Sequence, residues 1–124
     1  MIFLDTHVAI WLADGQTKRL SSKAVKSIDG SDSVSISPLV LLEMQFLVEA
    51  GRLTHPTDSI TKALAIAGIG VHDGSLTEIA TKAIELGWTR DPFDRLIAGH
   101  ASAFRAALVT KDQTLLDNYS RAIW

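Results

Sequence analysis

The chain has no cysteine, only 3 prolines, a single tyrosine and a net charge of −2, and each scarcity removes a class of explanation. Without cysteine there is no disulfide frame, thiol nucleophile or cysteine-bound zinc. No stretch approaches the roughly 20 consecutive apolar residues that span a bilayer. The opening Met1-Ile2-Phe3-Leu4-Asp5 lacks a basic segment leading into a long apolar run, so it does not read as a signal peptide, and a cytoplasmic location with no membrane contact is expected. The near-zero charge excludes a globally basic nucleic-acid binder. Any polyanion must be held by a local basic patch or by bound cations. What remains is 124 residues with 47% hydrophobic content. That is enough for one domain, residues 1–124, with a real core rather than a disordered chain.

The three prolines mark helix starts. Ser37-Pro38 and Asp91-Pro92 each place a capping side chain before a residue that needs no N–H at the first helical position, and His55-Pro56-Thr57 opens another helix. These helices are expected to run to about Ala50, Ala106 and Ala67. Further helices are predicted over Val8–Leu12, from Ser21 or Ser22 to about Ile28, over Leu76–Leu86 before Gly87, and from about Asp112 onward. Short apolar runs at Ile2-Phe3-Leu4, Val34-Ser35-Ile36, Ile69-Gly70-Val71 and Leu108-Val109-Thr110 read as strands, with Ala122-Ile123-Trp124 as a terminal edge. Strands alternating with helices predict an α/β fold, a mainly parallel twisted sheet between helical layers.

Four acids sit where such a sheet gathers its ligands. Asp5 follows the first strand and Asp112 the fourth, at the carboxyl edge of the sheet, although each also serves as a helix cap. Asp91 is sufficiently explained as a cap. Asp94, in the first helical turn, is favoured by the helix dipole, yet it turns partly toward the core beside Ile97 and Ala101. Glu43 lies among Leu39, Phe46, Leu47 and Ala50 on a helix apolar almost all round. A carboxylate there needs an ion pair with an arginine, hydrogen bonds or a metal. Packed together, such carboxylates repel one another unless a cation compensates. An all-oxygen set suits a hard ion, Mg²⁺ or Mn²⁺ in its place, and such sites activate water and stabilise charge on phosphate.

The opening Ile2-Phe3-Leu4-Asp5-Thr6-His7 with Ile10-Trp11, then Ser37 to Glu43, then Arg90-Asp91-Pro92-Phe93-Asp94-Arg95-Leu96-Ile97-Ala98, then Leu108-Val109-Thr110-Lys111-Asp112 together resemble the PIN-domain family, and within it the VapC-like ribonuclease toxins of toxin–antitoxin pairs. The resemblance implies a three-layer α/β/α fold and a metal-dependent endoribonuclease site. It carries the family's acids onto Asp5, Glu43, Asp94 and Asp112, with Asp91 as an accessory. It also implies a VapB-like antitoxin partner, frequent homodimers, and structured targets such as transfer or ribosomal RNA. Hydrolysis by metal-activated water would leave 5′-phosphate and 3′-hydroxyl ends.

Other residues have competing readings. Arg90 and Arg95 flank the acidic helix start and can hold substrate or neutralise Asp91 and Asp94, and Thr110 can steady a ligand carboxylate or a water. Lys18, Arg19, Lys23 and Lys26 can meet RNA phosphates, though a solvated helix face is the commoner use of such a group. His100, in line with Phe93, Ile97 and Phe104, reads as a core or interface histidine, and Trp11 and Trp124 as packing rather than base stacking. A helix as apolar as Leu39 to Val48 needs a cover, such as a second copy or an antitoxin. Three alternatives remain. A haloacid-dehalogenase-like phosphatase needs an acid two positions after Asp5, where His7 stands. A phospho-receiver domain needs an acceptor at the third strand, for which Asp73 is the only candidate. A metal- or RNA-binding module without toxin activity needs neither.

Overall fold

In the computed structural model, which describes residues 1–124, five very short strands form one parallel sheet in the order β3-β2-β1-β4-β5. They are β1 (Ile2–Leu4), β2 (Val34–Ile36), β3 (Gly70–Val71), β4 (Ala107–Val109) and β5 (Ala122–Ile123). Seven helices connect them: α1 (Thr6–Ala13), α2 (Ser22–Asp29), α3 (Pro38–Glu49), α4 (Thr57–Ile66), α5 (Leu76–Ile84), α6 (Pro92–Ala103) and α7 (Gln113–Asn118). A 3₁₀ turn at Thr17–Arg19, which no sequence signal announced, precedes α2. Successive strand residues point to opposite faces, yet Ile2, Phe3 and Leu4 of β1 are all buried, so helices cover both faces of the sheet. On one side α1, α3 and α4 contact one another, and α5 pairs with α6. The expected α/β architecture is present.

The register decides what the sheet presents. Leu4 is level with Ile36 on one side and with Val109 on the other, so three strands end together. The next residues, Asp5, Ser37 and Thr110, therefore share one edge. Because the chain runs from β1 to β2 in one direction while β4 lies on the other side, the order reverses between β1 and β4. That is where an open α/β sheet leaves a crevice for ligands.

Helix ends were the least legible feature. Gly15 and Gly51, at φ 70°, close α1 and α3 as glycine-terminated helices do. By contrast α6 stops at Ala103, three residues before the expected Ala106. Its cap residue, Phe104, is followed by Arg105 at φ 52°, with Arg105 N–H donating to Ser102 O and Ala106 N–H to Ala101 O. The same motif closes the helix without glycine, so composition gave no warning. Similarly α5 ends at Ile84, short of Leu86 and well before Gly87. There Arg95 holds the terminal carbonyls, through Nε to Ala83 O (2.7 Å) and Nη2 to Ile84 O (3.1 Å). Gly99 lets these helices approach: a Cβ at that position would meet Ala83 Cβ and Ile79 O at 2.9 Å.

His100 of α6 is a core histidine, as its position beside Ile97 and Phe104 implied. It is fully buried, with Nδ1 2.9 Å from Ser37 Oγ and Nε2 3.1 Å from Nδ1 of His72. Phe3 packs against both imidazoles. Burial, reinforced by His72, lowers the His100 pKa to about 4. The unfolded chain therefore takes up this proton first, and the stability His100 contributes is complete above about pH 6.5 and lost as pH falls toward 4. Chemical denaturation of the protein and of His100→Gln should show a stability difference that shrinks by up to about 3 kcal/mol across that window. A difference constant with pH would contradict the assignment.

Candidate functional site

Five carboxylates converge at the sheet edge, each delivered by a different local rule. Asp5 follows β1 directly. Its Oδ1 accepts the Thr6 N–H (2.8 Å) and its Oδ2 the Thr110 hydroxyl (2.6 Å). It is 7% exposed, and burial raises its pKa against those two stabilising hydrogen bonds. Thr110 Oγ1 also accepts the Asp112 N–H at 3.0 Å, so one buried hydroxyl ties the end of β4 to Asp5 and sets the turn that carries Asp112. Asp112 caps α7 through Oδ1, which accepts from Leu115 N at 2.9 Å. Thr110 thus steadies a carboxylate, one of its two expected roles.

Glu43 stands differently from its helical-wheel position. Only Val40 and Met44 of α3 are buried, while Leu42 and Phe46 are 47% and 50% exposed, so α3 is not enclosed all round. Glu43 is half-buried at the border of the packed face and lines an acidic cleft. Burial raises its pKa, and no arginine pairs with it: the three ion pairs of the molecule are His55–Asp14, Lys62–Asp58 and Lys82–Glu85. The ion-pair reading of Glu43 is thereby overturned.

Asp91 caps α6, its Oδ1 accepting from Asp94 N at 2.9 Å, and yet it does more than cap. Glu43, Asp91 and Asp94 each offer a carboxylate oxygen, all within 4.8 Å of one another. This is the tightest acidic group in the molecule, and Asp91 belongs to it. The signal for that was the i, i+3 spacing of two acids in one first helical turn, which sets them on the same face. Asp94 has its pKa raised to about 7, first by burial, then by Asp91, Asp5, Asp112 and Glu43. Together with His7, Trp11 and Lys111, the five acids line a cleft of about 310 Å³.

The arginines lie elsewhere. Beyond its bonds to α5, Arg95 donates from Nη1 to Thr89 O at 3.3 Å. Its guanidinium is committed to backbone carbonyls, and with Arg90 it borders a groove between α5 and α6 rather than the acidic cleft. The reading that Arg90 and Arg95 neutralise Asp91 and Asp94 is corrected, since neither arginine forms an ion pair and both line the α5–α6 groove instead of the cleft. Lys111 is the cation that lines the cleft, between Thr110 and Asp112 in sequence, and its position was not singled out beforehand. Of the basic group Lys18, Arg19, Lys23 and Lys26, only Arg19 reaches a site residue, lying 5.2 Å from the Trp11 ring centre. Asp73, exposed on the loop after β3, is outside the cleft, which leaves the phospho-receiver alternative without its acceptor.

The donor chemistry fits a hard divalent cation. Five carboxylates share one lysine, and burial and mutual repulsion raise the pKa values of Asp5, Glu43 and Asp94. A cation would relieve each of these costs.

A PIN-domain family profile matches residues 2–121, and the chain belongs to the PIN-domain family. Ribonuclease VapC22 of Mycobacterium tuberculosis is 32% identical over 120 residues, which cover 92% of this chain and 88% of that protein. The fold is also that of a toxin–antitoxin complex from Klebsiella pneumoniae, with TM-score 0.66 at 16% identity, covering 100% of this chain and 97% of the other. VapBC2 from Rickettsia felis, solved bound to a promoter DNA fragment, aligns with TM-score 0.61 at 22% identity over 99% of this chain and 96% of its counterpart. No helix here is long and apolar enough to cross a membrane.

Replacing one crowded charge separates repulsion from ligation. Asp94→Asn should raise the melting temperature of the metal-free protein, because it removes a charge that burial and four neighbouring acids disfavour. Magnesium at about 100 times its dissociation constant should stabilise the unsubstituted protein by about 2.7 kcal/mol and the variant far less. A melting temperature indifferent to Mg²⁺ in the unsubstituted protein would sink the cation site.

Proposed function

We propose that this protein is a Mg²⁺-dependent endoribonuclease, with Mn²⁺ as an alternative ion, acting as the toxin of a toxin–antitoxin pair. The convergence of Asp5, Glu43, Asp91, Asp94 and Asp112 on one cleft, in a PIN-domain chain, carries the reading. Glu43, Asp91 and Asp94 would hold the ion, with Asp5 and Asp112 lining the same cleft. The ion would supply Lewis acidity, making water more acidic and offsetting charge that develops on a phosphate.

The chain's own residues prepare that chemistry. Thr110 and the Thr6 N–H fix both oxygens of Asp5, so its carboxylate needs no reorganisation when substrate arrives. The Asp91 cap bond fixes the first turn of α6 and hence the direction of Asp94. Lys111 provides a positive charge at the cleft for a phosphate that the carboxylates alone would repel. Water attacks phosphorus, the bond to the 3′ oxygen breaks, and that oxygen leaves with a proton. The products are a 5′-phosphate and a 3′-hydroxyl.

The toxin role rests on the 32% identical ribonuclease of the VapC group and on structural neighbours solved as toxin–antitoxin complexes. The partner would be a VapB-like antitoxin that covers the cleft, the target a structured RNA such as transfer or ribosomal RNA, and the active form a cytoplasmic homodimer.

Purified protein freed of any inhibitor should cut RNA with Mg²⁺ and stop with EDTA, and Asp5→Asn should abolish cutting. Thr110→Val, which keeps the shape but drops the bond to Asp5, should lower the rate by about 10- to 100-fold, as loss of a ligand-supporting hydrogen bond does. Cutting that survives in Asp5→Asn, or cyclic-phosphate ends, would overturn this mechanism.

A further inference from the structure

The half-buried indole of Trp11 borders two cavities at once. One is the acidic cleft. The other is an adjoining trough of about 240 Å³ whose walls include Asp14, Gln16, Arg19, Arg52 and Leu53. His7 lines both as well, so the two cavities adjoin at these side chains. Three cations surround the junction. Arg19 lies over the Trp11 ring, 5.2 Å from its centre, Lys111 Nζ lies over it at 6.0 Å, and Arg52 stands on the trough wall. All three are exposed, and none is among the ion pairs of the molecule although five carboxylates sit next door. Trp124 braces the indole at 6.2 Å and 60°, and Lys111 lies 5.9 Å from that second ring too.

Acids that gather a cation at one end and unpaired cations around an aromatic plane at the other match the alternation of a nucleotide strand. The scissile phosphate belongs in the cleft, the following base on the indole, and the next phosphates beside Arg19 and Arg52. We propose that Trp11 is a stacking platform for one unpaired base of a single-stranded RNA segment, the base replacing a cation over the ring while the exposed Lys111 and Arg19 side chains move to the phosphates on either side of it. This inference rests on the ribonuclease reading above and extends it to the conformation of the substrate. A base within a duplex is already stacked on both faces, so the platform selects loops and unpaired ends. A basic peptide would meet Arg19 and Arg52 in the trough, which favours a polyanion over a cationic segment as the occupant of the trough itself.

Binding measured in EDTA isolates the platform from cleavage. The full chain should bind a single-stranded RNA of about 8 nucleotides, with its tryptophan fluorescence quenched. Trp11→Ala should weaken binding roughly 10- to 100-fold, and Trp11→Phe should retain most affinity but lose most of the quenching, the neighbouring Trp124 keeping the remainder. A strand of the same length without bases should bind weakly and be indifferent to Trp11→Ala, whereas a merely structural role would weaken both strands alike. Lys111→Gln should lower the salt dependence by about one phosphate contact. Equal losses on both strands, or quenching undiminished in Trp11→Phe, overturn the platform. Should Trp11→Ala not fold, the Trp11→Phe quenching decides alone. With Mg²⁺ added, binding of this kind without cleavage refutes the nuclease reading alone, while cleavage with KM unchanged in Trp11→Ala refutes the platform alone.

Discussion

The common ending of β1, β2 and β4 is the constraint on which the rest of the molecule depends. A three-residue strand offers few ladder hydrogen bonds, so β1 is held mainly by being buried on both faces between two parallel neighbours. Once Leu4 is level with Ile36 and Val109, Asp5 and Thr110 come within one hydrogen bond, although 105 positions separate them in the chain. A shift of one residue would turn each side chain to the opposite face and exchange Asp5 for an apolar residue at the edge. The buried Thr110 hydroxyl converts that register into a fixed carboxylate.

The same edge explains why a stable domain tolerates crowded acids. Each of Asp5, Asp91 and Asp112 satisfies a helix N-terminus, so the backbone itself supplies partial positive charge and hydrogen bonds to part of the cluster. Burial is the leading cost for Asp5, Glu43 and Asp94 alike, and of these three Asp5 alone has both carboxylate oxygens held by hydrogen bonds, from the Thr6 N–H and the Thr110 hydroxyl. The core under them is correspondingly dense. Phe3, His72, His100 and Phe104 pack ring against ring, and Ser37, which caps α3, is also the hydrogen-bond partner of His100. Glu43 is therefore positioned by a helix whose start is pinned to the core.

The surface around the cleft sorts charge by distance. Carboxylates occupy the sheet edge, while Lys111, Arg19 and Arg52 stand on its flank around Trp11. With a net charge of −2, the protein has no general attraction for a polyanion. Local arrangement has to supply what composition does not, and Arg95 shows that a basic residue near the acids in sequence can be wholly engaged elsewhere.

Much of this is legible in the sequence. Strand runs such as Ile2-Phe3-Leu4, the Ser37-Pro38 and Asp91-Pro92 helix starts, and the acids at Asp5, Glu43, Asp94 and Asp112 follow from local rules. Those rules are periodicity, capping and the cost of burying charge, and they act over a few residues. What they could not decide was direction and neighbourhood. Asp91 looked like a cap and is also part of the tightest acidic group, because the far side of its carboxylate meets Glu43 from another helix. Arg105 ends α6 in a left-handed conformation that its side chain does not favour, held by the Ala106–Ala101 bond. Which groups need partners follows from the residues themselves, since hydrogen bonding and desolvation are properties of each side chain. Which partners they meet is set by strand register and helix rotation, and those depend on packing across the whole chain.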